Sequence, residues 1–268
     1  MELLEELKSK WQSDCKDKKA AVEMWDTISE QYKNYEMPDE GNILLKIIEK
    51  ENMIDSNSKV LDIGCGVGQY SASLSQKVSE VTGVDLSPKM IEYGKQNLEK
   101  MGIKNVNLFC CDWSEYDISK NEFENKFDLV LAVMTPAIGD SSTFEKMIKS
   151  SKKHGIMFKH SRRTDEISND IMKMMNVDTK VLSRDENVLY AFGMLWLMGY
   201  QPKIEYNDQQ WNIKRNYDEA CEIYVNRART FTTLTQEKEE KIRQFLESKN
   251  QNGFIHDTIR TTIAVIYW

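Results

Sequence analysis

Glycines at alternate positions are the part of the sequence whose spacing most clearly suggests chemistry. Gly64, Gly66 and Gly68 stand in "LDIGCGVG", directly after a buried apolar run that contains Asp62. Residues without a Cβ atom let the backbone turn sharply and approach a ligand closely. The helix predicted next would add free N–H groups and the positive end of its dipole. The spacing is G-x-G-x-G rather than the G-x-G-x-x-G of dinucleotide folds, so the glycines alone leave the ligand open.

Two further aspartates follow predicted strands. Asp85 ends "EVTGVD", a position from which a carboxylate can accept hydrogen bonds from two ribose hydroxyls. Asp112 follows "NVNLFCC" and suits an adenine amine, with the Trp113 ring beside it either for stacking or for plain packing. Because the carboxyl ends of parallel strands meet at one sheet edge, we expect both carboxylates to face the same crevice as the glycines.

Predicted strands and helices alternate around these residues. The strands are "KVLDIG", "EVTGVD", "NVNLFCCD", "FDLVLAVM" and "GIMFKHS". This alternation predicts an α/β fold with a doubly wound, mostly parallel sheet and helices on both faces. Two later candidates, "PKIEYNDQQWNIK" and "DTIRTTIAVIYW", suggest a hairpin-like pair at one sheet edge, with the intervening helices as a small cover.

Composition narrows the class of protein. The formal net charge is -7 and no block of basic residues occurs, which argues against a general nucleic-acid binder. The five cysteines form no CxxC pair, so no metal site is predicted. No apolar run approaches the roughly 20 residues that span a bilayer, and "MELLEELKSKW" is unlike a secretory signal. We therefore expect a cytoplasmic protein, and the Asn-, Lys- and Ile-rich composition suggests a bacterial source.

Four segments together resemble a known family. "VLDIGCGVG", "VTGVDLSPKMIEYG", "NLFCCDWSEYD" and "FDLVLAVMTPA", in this order, look like the class I S-adenosylmethionine-dependent methyltransferases. The resemblance covers about residues 56–138. It implies a Rossmann-like sheet of seven strands with the last strand antiparallel, and S-adenosylmethionine rather than a nicotinamide as cofactor. The domain prediction is one unit, 1–268, with a helical cover (1–55), a cofactor-binding core (56–161), and helical insertions with the final strand pair (162–268).

The resemblance also implies a set of cofactor-binding residues. The glycines would hold the methionine part of the cofactor, Asp85 the ribose and Asp112 the adenine, while the backbone after the fourth strand would border the reacting methyl group. The full predicted set is Asp62, Gly64, Cys65, Gly66, Gly68, Asp85, Leu86, Met90, Asp112, Trp113, Val133 and Met134.

The segment after the fourth strand bears on the methyl acceptor. Met134 to Ala137 read "MTPA", without the "NPPY" or Pro-Cys patterns typical of methylases that act on nucleic-acid bases. The leading prediction is a small-molecule acceptor that reacts through N, O, S or C. The alternatives are a methylase of RNA or protein, and a cofactor-binding protein without catalysis. The oligomeric state stays open.

Catalytic and lid residues are predicted at two places. His160, after the fifth strand, is either a general base or a structural histidine, and Arg162 is either a partner for an acidic substrate or a solvated loop residue. "MWDTISEQYKNY" is similar to a helix that folds over the cofactor in many small-molecule methyltransferases. That similarity makes Trp25 and Tyr35 lid residues and Tyr32 a catalytic candidate, although plain packing on the sheet also fits the pattern.

Overall fold

One mixed sheet organises the chain. The computed structural model describes residues 2–34, 37–39, 41–183 and 185–268. Within these residues the strands are β1 (Lys59–Ile63), β2 (Glu80–Asp85), β3 (Val106–Cys110), β4 (Phe127–Val133), β5 (Ser151–Asp165), β6 (Lys203–Asn216) and β7 (Phe254–Tyr267). They form a seven-stranded sheet in the order β3-β2-β1-β4-β5-β7-β6.

Helices connect and cover the strands. They are α1 (Glu2–Lys10), α2 (Lys18–Tyr32), α3 (Ile43–Lys50), α4 (Gln69–Ser75), α5 (Pro88–Lys100), α6 (Ser141–Ser150), α7 (Glu166–Met174), α8 (Lys180–Ser183), α9 (Asp185–Leu197), α10 (Tyr217–Phe231) and α11 (Gln236–Ser248). The sequence patterns did not predict α1 and α8. Among the described helices, none combines the length and the apolar composition that crossing a bilayer requires.

Strand direction confirms the predicted architecture. β1 pairs in parallel with β2 and β4, β2 with β3, and β4 with β5. β7 runs antiparallel to both β5 and β6, so the last strand is antiparallel as expected. The strand order reverses between β1 and β4, and the crevice outside their carboxyl ends is where open α/β sheets bind ligands. The fold therefore places any site at the residues that follow β1, β2 and β4.

Apolar clusters lie on the two faces of the central strands. Leu61 and Val130 pack on one face with α6 and α9, and Val60 and Leu129 pack on the other with α3. Burial on both faces explains why these strands are almost continuously apolar. At about 25 cal/mol per Å² of buried apolar surface, each such side chain contributes roughly 1.5–3 kcal/mol. This packing makes the central sheet a rigid support for the loops at its carboxyl edge.

Three strands continue well beyond that edge. β4 ends at Val133, opposite Phe158, whereas β5 continues to Asp165 alongside β7 and β6. We call this extension (residues 159–165, 206–216 and 254–264) the wing. A separate apolar cluster joins its upper part to α7, α10 and α11, through residues such as Ile171, Val225, Leu246 and Ile255. The late strand pair and its helices thus build a cover beside the carboxyl edge.

Candidate functional site

The turn between β1 and α4 has the backbone geometry that its glycines allow. Gly64, Gly66 and Gly68 have φ angles of +69°, +54° and +74°. A side chain in such a left-handed conformation costs roughly 1–2 kcal/mol, so glycine is favoured at all three positions. The N–H groups of Gly64 and Cys65 donate to the Val84 carbonyl at 2.7 and 3.0 Å, which ties the turn to β2. We call residues 64–68 the glycine turn.

The three glycines differ in what surrounds them. A Cβ on Gly64 would overlap the side chain of Thr135, and one on Gly68 would approach Leu108 to 2.9 Å. A Cβ on Gly66 would have only the Met90 sulfur nearby, at 3.9 Å. Gly64 and Gly68 are therefore required by protein packing. Gly66 faces open space, as expected where a ligand approaches the backbone closely.

Asp85 is fixed beside the glycine turn. Its Oδ2 accepts a hydrogen bond from the Gly66 N–H at 2.8 Å, and its Oδ1 accepts one from the Ser87 N–H at 2.9 Å. Burial raises the pKa of Asp85, and the N–H groups of Ser87, Gly66 and the half-buried Leu86 act in the opposite direction. A carboxylate has about four lone-pair positions, more than these backbone N–H groups occupy, so Asp85 can still accept from a ligand hydroxyl.

Asp62 lies beneath the turn rather than at its surface. Its side chain is 2% exposed, and Oδ2 accepts from the Ser71 hydroxyl at 2.7 Å. Burial raises the pKa of Asp62 to about 6. Its observed contact joins β1 to α4, which supports the turn from below. The neighbouring Cys65 thiol is half-buried, and burial raises its pKa well above the ordinary value.

Asp112 follows β3 at the same edge of the sheet. Its Oδ1 accepts from the Ser114 N–H at 2.9 Å, and its Oδ2 lies 2.8 Å from the Lys18 ammonium of α2. Burial pushes the pKa of Asp112 upward, but the hydrogen bonds from Lys18 and Ser114 outweigh this and lower it. The carboxylate is therefore ionised at neutral pH and suited to accept from an amine.

The Trp113 ring does not face this crevice. The residue is 3% exposed, its ring stacks on Tyr116, and its indole N–H donates to the Thr143 carbonyl at 3.1 Å. The ring belongs to the apolar cluster under α6, and the Lys146 ammonium lies 5.5 Å from its centroid. The prediction of Trp113 as a stacking partner for the cofactor is wrong, because the core competes for a large ring more strongly than a solvent-facing crevice does.

Helix α2 crosses over the glycine turn. Lys18 contacts Asp112 at the start of α2, and in the second half of the helix Asp26 accepts from the Ser87 hydroxyl. Between them the half-buried Trp25 packs with Val67 of the glycine turn. Met90, which is 4% exposed at the start of α5, belongs to the same cluster. The role of Trp25 as a lid residue over the cofactor stays a prediction.

Tyr32 lies away from the site. It is 46% exposed, and the carbonyl of the next residue, Lys33, accepts from the Asn97 side chain at 3.0 Å. Asn97 is nine residues beyond Pro88 along α5, or about 13 Å from the carboxyl edge at 1.5 Å per residue. The prediction of Tyr32 as a catalytic residue is wrong, because α2 runs alongside α5 and leaves the edge before Tyr32. Tyr35 lies outside the described residues.

The loop after β4 is held by a lysine that the sequence patterns did not single out. Met134 has a φ angle of +54°, and its N–H donates to the Phe158 carbonyl at 3.3 Å. The ammonium of Lys159 donates to the carbonyls of Thr135 and Ile138 at 3.0 and 2.6 Å. Burial lowers the pKa of Lys159 to about 8. A lysine inside the apolar run "GIMFKHS" was the available signal for this role. The half-buried Val133 ends the strand just before this loop.

His160 is committed to protein contacts. Its Nδ1 lies 3.3 Å from the Thr261 hydroxyl, and its Nε2 accepts from the Arg163 guanidinium at 3.1 Å. Burial, together with the charge of Arg163, lowers the pKa of His160 to about 3. A ring that is so weakly basic and already accepts a donor cannot serve as the predicted general base. The alternative of a structural histidine is the one that the structure supports.

Arg162 and Arg163 have opposite environments. A bulge in β5 lies between Ser161 and Thr164, and Arg162 there is exposed with a φ angle of +49°. Arg163 turns inward, and its guanidinium donates to Asp165 at 2.9 Å. Arg162, which was predicted to meet an acidic substrate, thus lies on the surface, and it is the guanidinium of Arg163 that lies in the interior. The bulge, which the sequence pattern does not reveal, decides which of the two is buried.

Comparison with known proteins agrees with the fold. A family model described as "Methyltransferase domain" matches residues 54–247. The 23S rRNA (uracil(1939)-C(5))-methyltransferases RlmD of Shewanella amazonensis and Shewanella sediminis are 31% and 32% identical over 105 residues, 39% of this chain and 23% of theirs. The chain therefore spans less than a quarter of those relatives. Phosphoethanolamine N-methyltransferase 2 of Haemonchus contortus superposes with a TM-score of 0.51 at 17% identity, over 88% of this chain and 56% of that one.

Proposed function

The chain belongs to the methyltransferase-domain family, and on this premise we propose that it methylates a small-molecule acceptor. It is a methyltransferase whose cofactor is S-adenosylmethionine. The sulfonium of that cofactor supplies an electrophilic methyl group. The acceptor class is the part that we infer from the shape and charge of the site.

The roles of the cofactor-binding residues follow from the family resemblance, and the geometry of the edge supports them. We propose that the backbone at Gly66 borders the methionine part, that Asp85 accepts from the ribose, and that Asp112 accepts from the adenine amine. The open space at Gly66 and the unused lone pairs of Asp85 support this assignment. The edge is acidic, since Asp26 and Asp85 act on each other electrostatically, and this favours a cofactor with a cationic sulfonium.

The observation that carries the small-molecule proposal is the cover over this edge. α2 crosses the glycine turn, and α10 packs against α2 with Ile223 in contact with Val67 and Met90. The Gln31 side chain of α2 donates to Glu219 of α10. We infer that a site between two such helices and the wing forms a recess, whereas a large polynucleotide needs an open groove with basic residues. The formal net charge of -7 points the same way.

Catalysis in this recess rests on positioning. Holding the acceptor in line with the methyl group can supply roughly 7–11 kcal/mol without a base. Lys159 fixes the loop that begins at Met134, which is the wall next to the expected methyl position. Because both ring nitrogens of His160 contact protein groups, we infer that the acceptor presents a nucleophile that is already reactive at neutral pH, such as a thiolate or a neutral amine.

The test uses S-adenosylmethionine with a labelled methyl group. The purified chain is incubated with the small-molecule, RNA and protein fractions of a bacterial extract, and the label is followed in each. We expect transfer to the small-molecule fraction. Label in RNA or protein instead would overturn the acceptor class and support a macromolecular methylase. Cofactor binding without transfer to any fraction would support a binding protein without catalysis.

A further inference from the structure

Within the part of the chain that the structure describes, a buried arginine near the end of β6 has an Nε without a hydrogen-bond partner. Arg215 is 9% exposed, and its Nε makes no hydrogen bond. Among the residues that the structure describes, no carboxylate forms an ion pair with its guanidinium. The β6–β7 register places Arg215 opposite Ile255, on the same face of the wing as Asp257. The side chain thus points between the wing and α10.

An unpaired buried charge is costly. A buried charge that has lost its partner destabilises a protein, because nothing compensates for the water it gave up. A buried N–H donor without an acceptor, such as the Nε of Arg215, adds to that cost. A chain that keeps such a group under its cover therefore has a use for it, and an anionic ligand supplies the missing partner.

The charged groups around Arg215 indicate the charge of that anion. Asp165 accepts from both Arg163 and Arg227, at 2.9 and 3.1 Å. Asp257 accepts from the Tyr224 hydroxyl at 2.9 Å. Tyr224 is the centre of the group: burial raises its pKa, Asp165 and Asp257 raise it further, and Arg227 and Arg215 oppose them.

The cluster contains three guanidiniums and two carboxylates (Arg163, Arg215 and Arg227 with Asp165 and Asp257). With all five groups ionised it carries one excess positive charge. One monoanion neutralises it, and a carboxylate also matches the fork of a guanidinium with two parallel hydrogen bonds.

The end of β6 lies close to the cofactor edge. Asn216, the next residue, lines a surface cleft together with Thr27 of α2 and Lys89 at the start of α5. Ile223 is seven residues further along α10, about 10 Å, and packs on Val67 of the glycine turn. The end of the wing and the start of α10 therefore lie next to the helices that border the glycine turn.

We propose that Arg215 binds a carboxylate of the methyl acceptor, so that the acceptor is a small organic acid. This inference rests on the proposed small-molecule methyltransferase function. Tyr224, Asp257 and the Asp165 ion pairs position the guanidinium and shape its surroundings. The acceptor's nucleophile then lies at the loop after β4, while its carboxylate is held under the wing.

The first test needs no acceptor. Formate serves as the probe, with chloride at the same ionic strength as reference, and melting temperatures are measured for the wild type, Arg215→Met and Arg260→Met. Arg260 is an exposed arginine of the same wing that donates to Gln210 at 3.1 Å, so its variant controls for loss of an arginine. In chloride, we expect Arg215→Met to melt at or above the wild-type temperature, because it removes an uncompensated charge. Formate should raise the wild type and Arg260→Met by about 2–4 °C and leave Arg215→Met unchanged.

A lower melting temperature of Arg215→Met in chloride, or an equal response of all three proteins to formate, would overturn the proposal. The second test addresses the acceptor itself. Anion-exchange resin is used to deplete the small-molecule extract, and methyl transfer is measured before and after. We expect depletion to remove the acceptor, and Arg215→Met to lower kcat/KM at least tenfold through KM.

Undiminished transfer in the depleted extract, or an Arg215→Met enzyme with wild-type KM, would show that the acceptor is not an acid held by Arg215. Calorimetry with S-adenosylmethionine keeps this failure separate from failure of the proposed function. If the protein binds the cofactor and transfers methyl groups independently of Arg215, only the role of Arg215 is refuted. If the protein does not bind the cofactor, both the role of Arg215 and the proposed function are refuted.

Discussion

Alanine substitutions at three glycines should separate backbone strain, packing and ligand contact. Gly66 and Gly102 both have left-handed backbone, with φ angles of +54° and +68°. A Cβ on Gly102 meets nothing within 4 Å, and one on Gly66 meets only the Met90 sulfur at 3.9 Å. We therefore expect Gly66→Ala and Gly102→Ala to lower the free energy of unfolding by a similar amount, about 1 kcal/mol.

The two variants should differ in cofactor affinity. The new methyl group of Gly66→Ala projects into the space that we assign to S-adenosylmethionine, so the dissociation constant should rise at least tenfold, or about 1.4 kcal/mol. Gly102→Ala lies at the far end of α5 and should bind as the wild type does. Gly64→Ala adds an overlap with Thr135, which should bring its loss of stability to roughly 3 kcal/mol.

Urea unfolding gives the stabilities of the three variants, and isothermal titration calorimetry gives the affinities. Gly102→Ala is the matched control, since it has the same backbone strain without the ligand. If Gly66→Ala bound S-adenosylmethionine within twofold of Gly102→Ala, the open space at Gly66 would not be the cofactor's position. If Gly64→Ala were no less stable than Gly102→Ala, the packing of Thr135 on the turn would be wrongly described.

Two further predictions concern groups around the turn. Lys159→Met should lower kcat about 10- to 100-fold with an unchanged cofactor dissociation constant, because it releases the carbonyls of Thr135 and Ile138. Single-turnover kinetics with calorimetry would check this prediction, and an unchanged kcat would contradict it. Burial raises the native-state pKa of Asp62 to about 6, above its ordinary value of 3.8, so the native state binds more protons than the unfolded state between these pH values. The free energy of unfolding should therefore fall as pH rises from 4 to 6, by up to about 3 kcal/mol, and Asp62→Asn should reduce that fall in urea titrations. An equal pH dependence in both proteins would refute this.

Local sequence patterns predicted the part of the site that β1, the glycine turn and β2 form. β1, the glycine turn and β2 follow one another within the chain, and their buried strands and backbone requirements are visible in the residue types. Ser87 caps α5 by accepting from the Met90 N–H at 3.1 Å, with Pro88 in the first turn, as the sequence indicates. Such features depend on neighbours in sequence, so the order of residues is enough to locate them.

The wrong predictions concern residues whose positions depend on contacts that the local sequence does not show. Trp113 packs under α6 and His160 accepts from Arg163 across a bulge, and neither contact has a local signature. Tyr32 matched a family pattern, but the path of α2 along α5 sets its distance from the edge. The wing was predicted only as a late strand pair, because the alternation in β6 shows one buried face without showing how far the strand extends.

We propose that the glycine turn and Asp85 hold S-adenosylmethionine, and calorimetric titration of the chain with this cofactor tests it most directly. Asp85→Asn is compared with Asp117→Asn, since the Asp117 carboxylate also accepts from two backbone N–H groups, at 3.1 Å each, in an exposed loop. We predict micromolar binding for the wild type and Asp117→Asn, and at least about 100-fold weaker binding for Asp85→Asn, because two charge-assisted hydrogen bonds to the ribose are lost. No binding by the wild type, or equal binding by the two variants, would contradict the claim.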